Sequence, residues 1–392
     1  MSPAGAAGID RDRLTGFLER ALAYPSPQGD RLESDPKMAA FIHDVVLPEA
    51  RALGPDSVRI DAMGNLLAQW GAGTPAIAVA VYAMTHPATS MPDPFVPTRV
   101  DGTPFGLQGP CIRGRGACEQ KGAMAAALAG LGAALGAGGL RRPLALLALT
   151  SGETGRPDAV RSLLDETGAR FDMALVACGT ANRVCLAQKG RLDVNILVHG
   201  RQSHSSQPWR GLNALEGATA VLTRLAAHAV LGEHPRLGKI TLTPTALSTE
   251  PRATHTVPAL ARITVDRRLR PGDSPEAALA ELQGFVGPVP PFEITYETGP
   301  FMYPYELAPE DRLPRLLREA FVRELGREPE YSYSSGGLDA GYLQHRGIQA
   351  LMFGPGDTTL AHTADDLVSV DACVEAARVY AAALGAAATA EA

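Results

Sequence analysis

The chain has 392 residues, with 36 Lys and Arg against 42 Asp and Glu, so it is long enough for a large core and two domains and carries a formal charge of −6. That charge is spread along the sequence, and no cluster of basic residues interleaved with aromatics occurs, which argues against nucleic acid as a partner. Met1–Asp10 has no apolar signal core, and the longest apolar region, 123–140, is rich in Gly and Ala and ends at Arg141-Arg142-Pro143, as a soluble helix would rather than a membrane span.

Residues 11–24 and 35–53 read as amphipathic helices, with Pro25, Pro27 and Gly29 between them. Two short strands, 58–62 and 66–70, form a hairpin around Met63-Gly64-Asn65. Next comes 76–84, a nearly continuous apolar run of the kind found in strands buried on both faces of a sheet; it ends at Thr85-His86. Three more such strands are expected. Residues 143–150 end at Ser151-Gly152-Glu153, 173–177 end at Cys178, and 349–353 lead through Gly354-Pro355-Gly356 to His362. Polar residues thus collect just past the ends of apolar strands, where ligands bind in α/β sheets.

From 190 to about 300 the texture changes to an alternating strand (192–198), a helix (212–231), two strands (240–247 and 259–268), a helix (274–285) and a last strand (292–297). The order βαββαβ is that of a ferredoxin-like split βαβ unit. We read 190–300 as an inserted lid domain, and 1–189 with 301–392 as the α/β catalytic domain, completed by helices at 309–325 and 371–388. Five cysteines, an odd number at irregular spacing, point to reduced thiols and a cytoplasmic location.

The most informative stretch is Gly114-Arg115-Gly116-Ala117-Cys118-Glu119-Gln120-Lys121-Gly122, a glycine turn with one carboxylate at the start of a long Ala/Leu/Gly helix. Glycines permit tight turns and close backbone approach, and a helix start favours negative charge. Read alone, Glu119 is equally a helix N-terminal acid. With the stretches around His86, Glu153, His204, Arg268 and His362, in this order, it resembles the M20 family of metallopeptidases and amidohydrolases nearly from end to end.

The resemblance implies an α/β fold with a mixed, zinc-exopeptidase-like central sheet flanked by helices, an inserted ferredoxin-like α+β lid, two zinc ions and a homodimer formed through the lid. It places Glu119 where the family has its bridging aspartate. His86 falls at a zinc-binding histidine, but Ala88 stands where an aspartate would orient it. Ser151-Gly152-Glu153-Thr154-Gly155 aligns with Asp-Glu-Glu-x-Gly, making Glu153 a metal ligand and leaving Gly152 in place of the general base. Cys178 replaces the acid that binds the second zinc; it is either a thiolate ligand or a buried apolar thiol. Cys118 supplies a second thiol, suited to covalent or proton-transfer chemistry if its pKa were lowered. His362 matches the histidine of the first zinc.

In the lid, His204-Ser205-Ser206-Gln207-Pro208 with Asn213 matches the family stretch whose histidine reaches the partner subunit's site and stabilises the oxyanion. Arg268, in Asp266-Arg267-Arg268-Leu269-Arg270-Pro271-Gly272, matches the arginine that binds the substrate carboxylate, with a strand-face salt bridge as the other reading. His255 takes the place of an asparagine. Gly336 and Gly337 would offer backbone N–H groups to a bound carboxylate, with Asp339 bracing the loop.

The expected function is hydrolysis of the amide C–N bond of a small carboxylate-bearing substrate, with one divalent metal, zinc or manganese, on Glu119, Glu153 and His362. With no base at 152, His86 and Cys178 are the candidates. One alternative is a repurposed, metal-free enzyme running isomerisation, acyl transfer, deamination or elimination on similar substrates; another is a non-catalytic small-carboxylate-binding protein.

Overall fold

The computed structural model describes residues 8–88, 91–152 and 154–389. It separates into two compact units, one running to Leu186 and resuming at Leu307–Tyr333 and from Leu338, the other made of Ala187–Glu306 and Ser334–Gly337.

The first unit is built on a mixed sheet in the order Ser57–Ile60, Leu66–Trp70, Leu144–Leu149, Ile77–Tyr82, Met173–Ala177, Gln349–Phe353 and Val184–Gln188. Four of these run parallel side by side, in a register that pairs Tyr82 with Leu149, Ala80 with Val176 and Phe353 with Ala177. Every residue of Ile77–Tyr82 and Leu144–Leu149 is buried, which is why they read as unbroken apolar runs. Helix Gly122–Gly136 packs against Val370–Thr389; Gly130 permits it, since a Cβ there would meet Tyr380 Cβ at 2.4 Å.

A second, three-stranded sheet was not expected from the sequence: Leu367–Ser369 pairs with Pro110–Arg113, which pairs with Thr98–Asp101. Its strands are only three or four residues long, and Thr98–Asp101 and Pro110–Arg113 are partly exposed, so they lack the apolar run that marks the central ones. The helix expected over 35–53 contains a π turn at Ile42–Val46 between Pro36–Phe41 and Leu47–Ala52.

The second unit is an antiparallel sheet in the order Val230–His234, Gly238–Glu250, Leu260–Leu269, Gly190–His199 and Glu293–Met302. In Leu260–Leu269 burial alternates strictly, because one face packs on helices Ala214–Ala226 and Pro275–Val286. The helix expected to run to 231 stops at Ala226, and Val230–His234 turns back as an edge strand against Gly238–Glu250. Among the described residues no helix is long and apolar enough to cross a membrane.

Candidate active site

The ends of the four parallel strands gather the expected residues of the first unit. His86 lies four residues past Ile77–Tyr82, on a segment held by Thr85 N–H to Ser26 O (2.9 Å) and Gln28 N–H to Thr85 O (2.8 Å). Gly152 follows Leu144–Leu149, and Cys178 follows Met173–Ala177 directly. Glu153 lies outside the described residues.

The Gly114–Gly122 stretch is tied to the chain's last loop by one buried carboxylate. Asp366 accepts the N–H of Gly116 (2.6 Å) and Cys118 (2.9 Å), and its Oδ2 lies 3.3 Å from Arg115 Nη1 in an ion pair almost wholly out of solvent. Arg115 Nη2 also donates to Thr363 O (3.0 Å), and Gly114 N–H to Asp366 O (2.9 Å). Burial pushes the Asp366 carboxyl up, against the pull of the Cys118 and Gly116 amides. Gly116 is left-handed, with φ 88°, and a Cβ there would sit 2.4 Å from Thr85 Cγ2; only glycine lets the turn approach the His86 segment. A π turn, Ala117–Lys121, then carries Glu119, and such turns occur often at functional sites. Lys121 behind it is buried, donates to Tyr24 O (2.9 Å) and lies 4.9 Å from the Phe41 ring centre; burial brings its ammonium down to about 7.

This fastening sets His362 Nε2 3.0 Å from Glu119 Oε2. His362 holds φ 64°, a backbone strain of about 1–3 kcal/mol of the kind that collects at functional positions. Its ring stacks on His86, with centroids 3.7 Å apart and planes 13° from parallel. Glu119 raises the proton affinity of His362, while burial, and then the positive charge of His362, lowers that of His86. His86 Nδ1 faces Pro87 O at 3.2 Å, so the neutral tautomer that donates there leaves Nε2 as the acceptor.

The remaining first-unit candidates behave otherwise. Cys178 is buried, and its thiol bears on Tyr82, Tyr380 and Cys118. None of the five cysteines forms a disulfide. Cys118 does not have the lowered pKa that covalent chemistry asks for: burial, and then Asp366, pushes its thiol well up.

Sequence reasoning missed a buried pair behind the strand ends. Tyr82 and Asp339 face each other closely enough for each to shift the other's proton affinity, and among the described residues neither the phenol oxygen nor the two carboxyl oxygens has a well-formed hydrogen bond. Burial pushes the Asp339 carboxyl well up, the Tyr82 hydroxyl pulls it back, and Glu33 and Asp158 add to the rise. A carboxyl raised on folding stabilises fully below its unfolded pKa of 3.8, and that contribution is lost as pH rises towards the folded value. Asp339→Asn should therefore gain urea resistance over the parent as pH climbs from 4 to 8. Parallel midpoint-versus-pH curves would contradict it.

In the second unit His204 and His255 approach each other, with ring centroids 6.2 Å apart, as Ser203–His204 pairs with Thr256–Val257. His204 Nδ1 meets Ser206 Oγ at 2.8 Å. Asn213 caps helix Ala214–Ala226, its side-chain oxygen accepting Leu215 N–H at 3.1 Å. Arg268 grips Asp266 through two N–H groups (2.9 and 3.1 Å) and donates to Ser335 O (3.0 Å), so the strand-face salt bridge is present. Gly336 N–H, expected to face a ligand, is already bonded to Ser334 Oγ at 3.1 Å, and Gly337 packs against Lys189 O. Strand Leu260–Leu269 begins beside the two histidines and carries Arg268 near its far end, roughly 26 Å away at ordinary strand rise.

The sequence model of peptidase family M20/M25/M40 matches residues 89–386, well over half of the chain. The chain belongs to this family. It is 30% identical over 322 residues to a succinyl-diaminopimelate desuccinylase of Dinoroseobacter shibae, covering 76% of this chain and 82% of that one. An acetylornithine deacetylase of Myxococcus xanthus is 30% identical over 276 residues, covering 68% and 70%. Among solved structures, an M20 metallo-carboxypeptidase, Sso-CP2 from Sulfolobus solfataricus, superposes with a TM-score of 0.75 at 17% identity, over 95% of this chain and 99% of that one, which shows a shared fold.

M20 enzymes generally use divalent metals, and of the expected donors of this M20 chain two meet directly. These are Glu119 and His362; Glu153 is outside the described residues, among which no three His, Cys, Asp or Glu side chains are arranged to hold an ion. His86 cannot share an ion position with His362, because ring lone pairs lie in the ring plane and the two rings are stacked. A second position would have His86 without an orienting carboxylate, since Ala88 has none to offer.

Proposed function

We propose that this M20 enzyme hydrolyses the amide C–N bond of a small carboxylate-bearing substrate at the strand ends holding Glu119, His362 and His86. The observation that carries the reading is the meeting of Glu119 and His362, 243 residues apart in sequence, on a strained backbone beside a second imidazole. Glu119, His362 and Glu153 would hold one zinc or manganese ion. When bound, that ion supplies Lewis-acid polarisation of the substrate carbonyl. While no ion is bound, Glu119 orients the His362 ring by accepting from its Nε2; with an ion in place, the lone pair of that nitrogen would be a ligand instead. His86, kept neutral by burial, accepts a proton at Nε2, the task position 152 cannot perform. Cys178, turned among buried rings, is the weaker candidate base. Arg268 with Gly337 would orient the substrate carboxylate, Arg268 through the N–H groups that Asp266 and Ser335 leave over.

We read the second unit as a ferredoxin-like lid through which two copies pair. In such a pair His204 would serve the partner's site. Asn213 then positions the His204 loop as a helix cap.

A second reading, metal-free and non-hydrolytic chemistry on the same substrate class, is favoured by the losses at Ala88 and Gly152 and by the direct Glu119–His362 bond. Metal content separates the two. Freshly purified enzyme is expected to contain about one equivalent of zinc or manganese and to release free amine from N-acyl amino acids, an activity that chelation removes and the metal restores. Metal-free protein that cleaves no N-acyl amino acid or dipeptide, yet converts another small carboxylate at full rate, would establish the second reading.

A further inference from the structure

The turn that lacks a base also lacks room for one. A Cβ at Gly152 would lie 2.1, 2.4 and 2.7 Å from Cε1, Cζ and Cδ1 of Tyr82, distances that real Cβ atoms essentially never show. The obstacle is the hydroxyl-bearing end of an aromatic ring that is 0% exposed, at the last position of a central strand. Such a ring cannot swing aside without displacing packed neighbours. Gly152 is not left-handed, so the backbone conformation does not call for glycine here; the ring does.

The ring is held at both ends. Its backbone pairs with Leu149 across the parallel register, on the very strand that leads into the 151–152 turn. Its hydroxyl ends beside Asp339, 98% out of solvent and with neither oxygen hydrogen-bonded among the described residues. A buried polar group left unsatisfied costs about 1–3 kcal/mol.

We propose that Tyr82 and Gly152 are a matched pair, in which the tyrosine ring fills the volume of a side chain at 152 and so determines which acid–base chemistry this turn can perform. Tyr82 is thus a reaction-determining residue, acting by exclusion. A carboxylate cannot be restored at 152 while the tyrosine stands, and shortening residue 82 reopens the position. The functional half of this inference rests on the hydrolytic reading above; the steric half does not.

The test separates the halves. Thermal unfolding of full-length Gly152→Ala, Tyr82→Leu and the double variant forms a cycle. Gly152→Ala alone should lower the midpoint by roughly 5 °C or more, and in the Tyr82→Leu background the same change should cost less than half of that. A double variant no more stable than additivity allows, or a Gly152→Ala protein as stable as the parent, overturns the matched pair. Hydrolysis of an N-acyl amino acid by Tyr82→Ala/Gly152→Glu is then compared with Tyr82→Ala and Tyr82→Ala/Gly152→Gln. The glutamate variant should exceed both by at least ten-fold in kcat with little change in KM. Strong coupling in unfolding without that gain keeps the pair but removes position 152 from the reaction, and with it the hydrolytic reading of this turn.

Discussion

Glu119→Gln should lower turnover at least about 10²-fold while leaving the melting temperature close to that of the parent. Glutamine keeps the length of the side chain and an oxygen that can still meet His362 Nε2, so the contact that closes the last loop over the π turn survives. What goes is the negative charge, which raises the proton affinity of His362 and which a divalent cation would need as a ligand. Metal content should fall with activity under the hydrolytic reading. A variant that retains full activity would remove Glu119 from the mechanism.

The same variant tests pairing through the second unit. If His204 serves the partner's site, His204→Ala and Glu119→Gln are each inactive alone, but mixed dimers restore one complete site. Random reassociation at equal amounts makes half the dimers mixed, so about a quarter of parental activity should return. No recovery, with subunit exchange shown by a tagged copy, would confine His204 to its own chain.

Asp366→Ala should be among the most destabilising single changes in the chain, by about 3–5 kcal/mol, because it leaves the Arg115 guanidinium buried without its counter-charge. Two backbone donors, Gly116 and Cys118, lose their acceptor in the same step. The loss should also reach the site without touching it. With the carboxylate gone, the loop bearing His362 keeps the strand pairing from Leu367 onward and the backbone bond from Gly114 but loses the two bonds that fix the turn carrying Glu119 at Gly116 and Cys118. Turnover should therefore fall further than the folded fraction does, measured by urea unfolding and kcat on the same preparation. Asp366→Asn, which still accepts from one amide, should lie between the two. Equal stability of the alanine variant and the parent would refute the fastening role.

Much of this was open to a reader of the sequence. Buried parallel strands announce themselves as unbroken apolar runs, and Met173–Ala177 and Gln349–Phe353 fall where the pattern puts them, because both faces of that sheet are covered. The alternating segments of the second unit were legible for the complementary reason, one face being packed on helices. His86, Glu119 and His362 could be singled out because the stretches around them, taken in order, resemble the M20 family; read alone, each had a structural reading as well. The helix boundary at Ala226 and the Thr98–Asp101 and Pro110–Arg113 strands were not, since short, partly exposed elements carry no strong period.

The sequence alone therefore determined the buried central strands, most of the alternating segments of the second unit and the residues that could do chemistry, because those follow from the local period of apolar residues and from side-chain type. Only the tertiary structure decided which of them act together. Asp366 reaches a backbone 250 residues away, His362 turns onto Glu119 through a strained φ, and the space above Gly152 belongs to a ring from another strand. Such contacts depend on where packed elements bring distant atoms within a few ångströms, a quantity no local pattern carries.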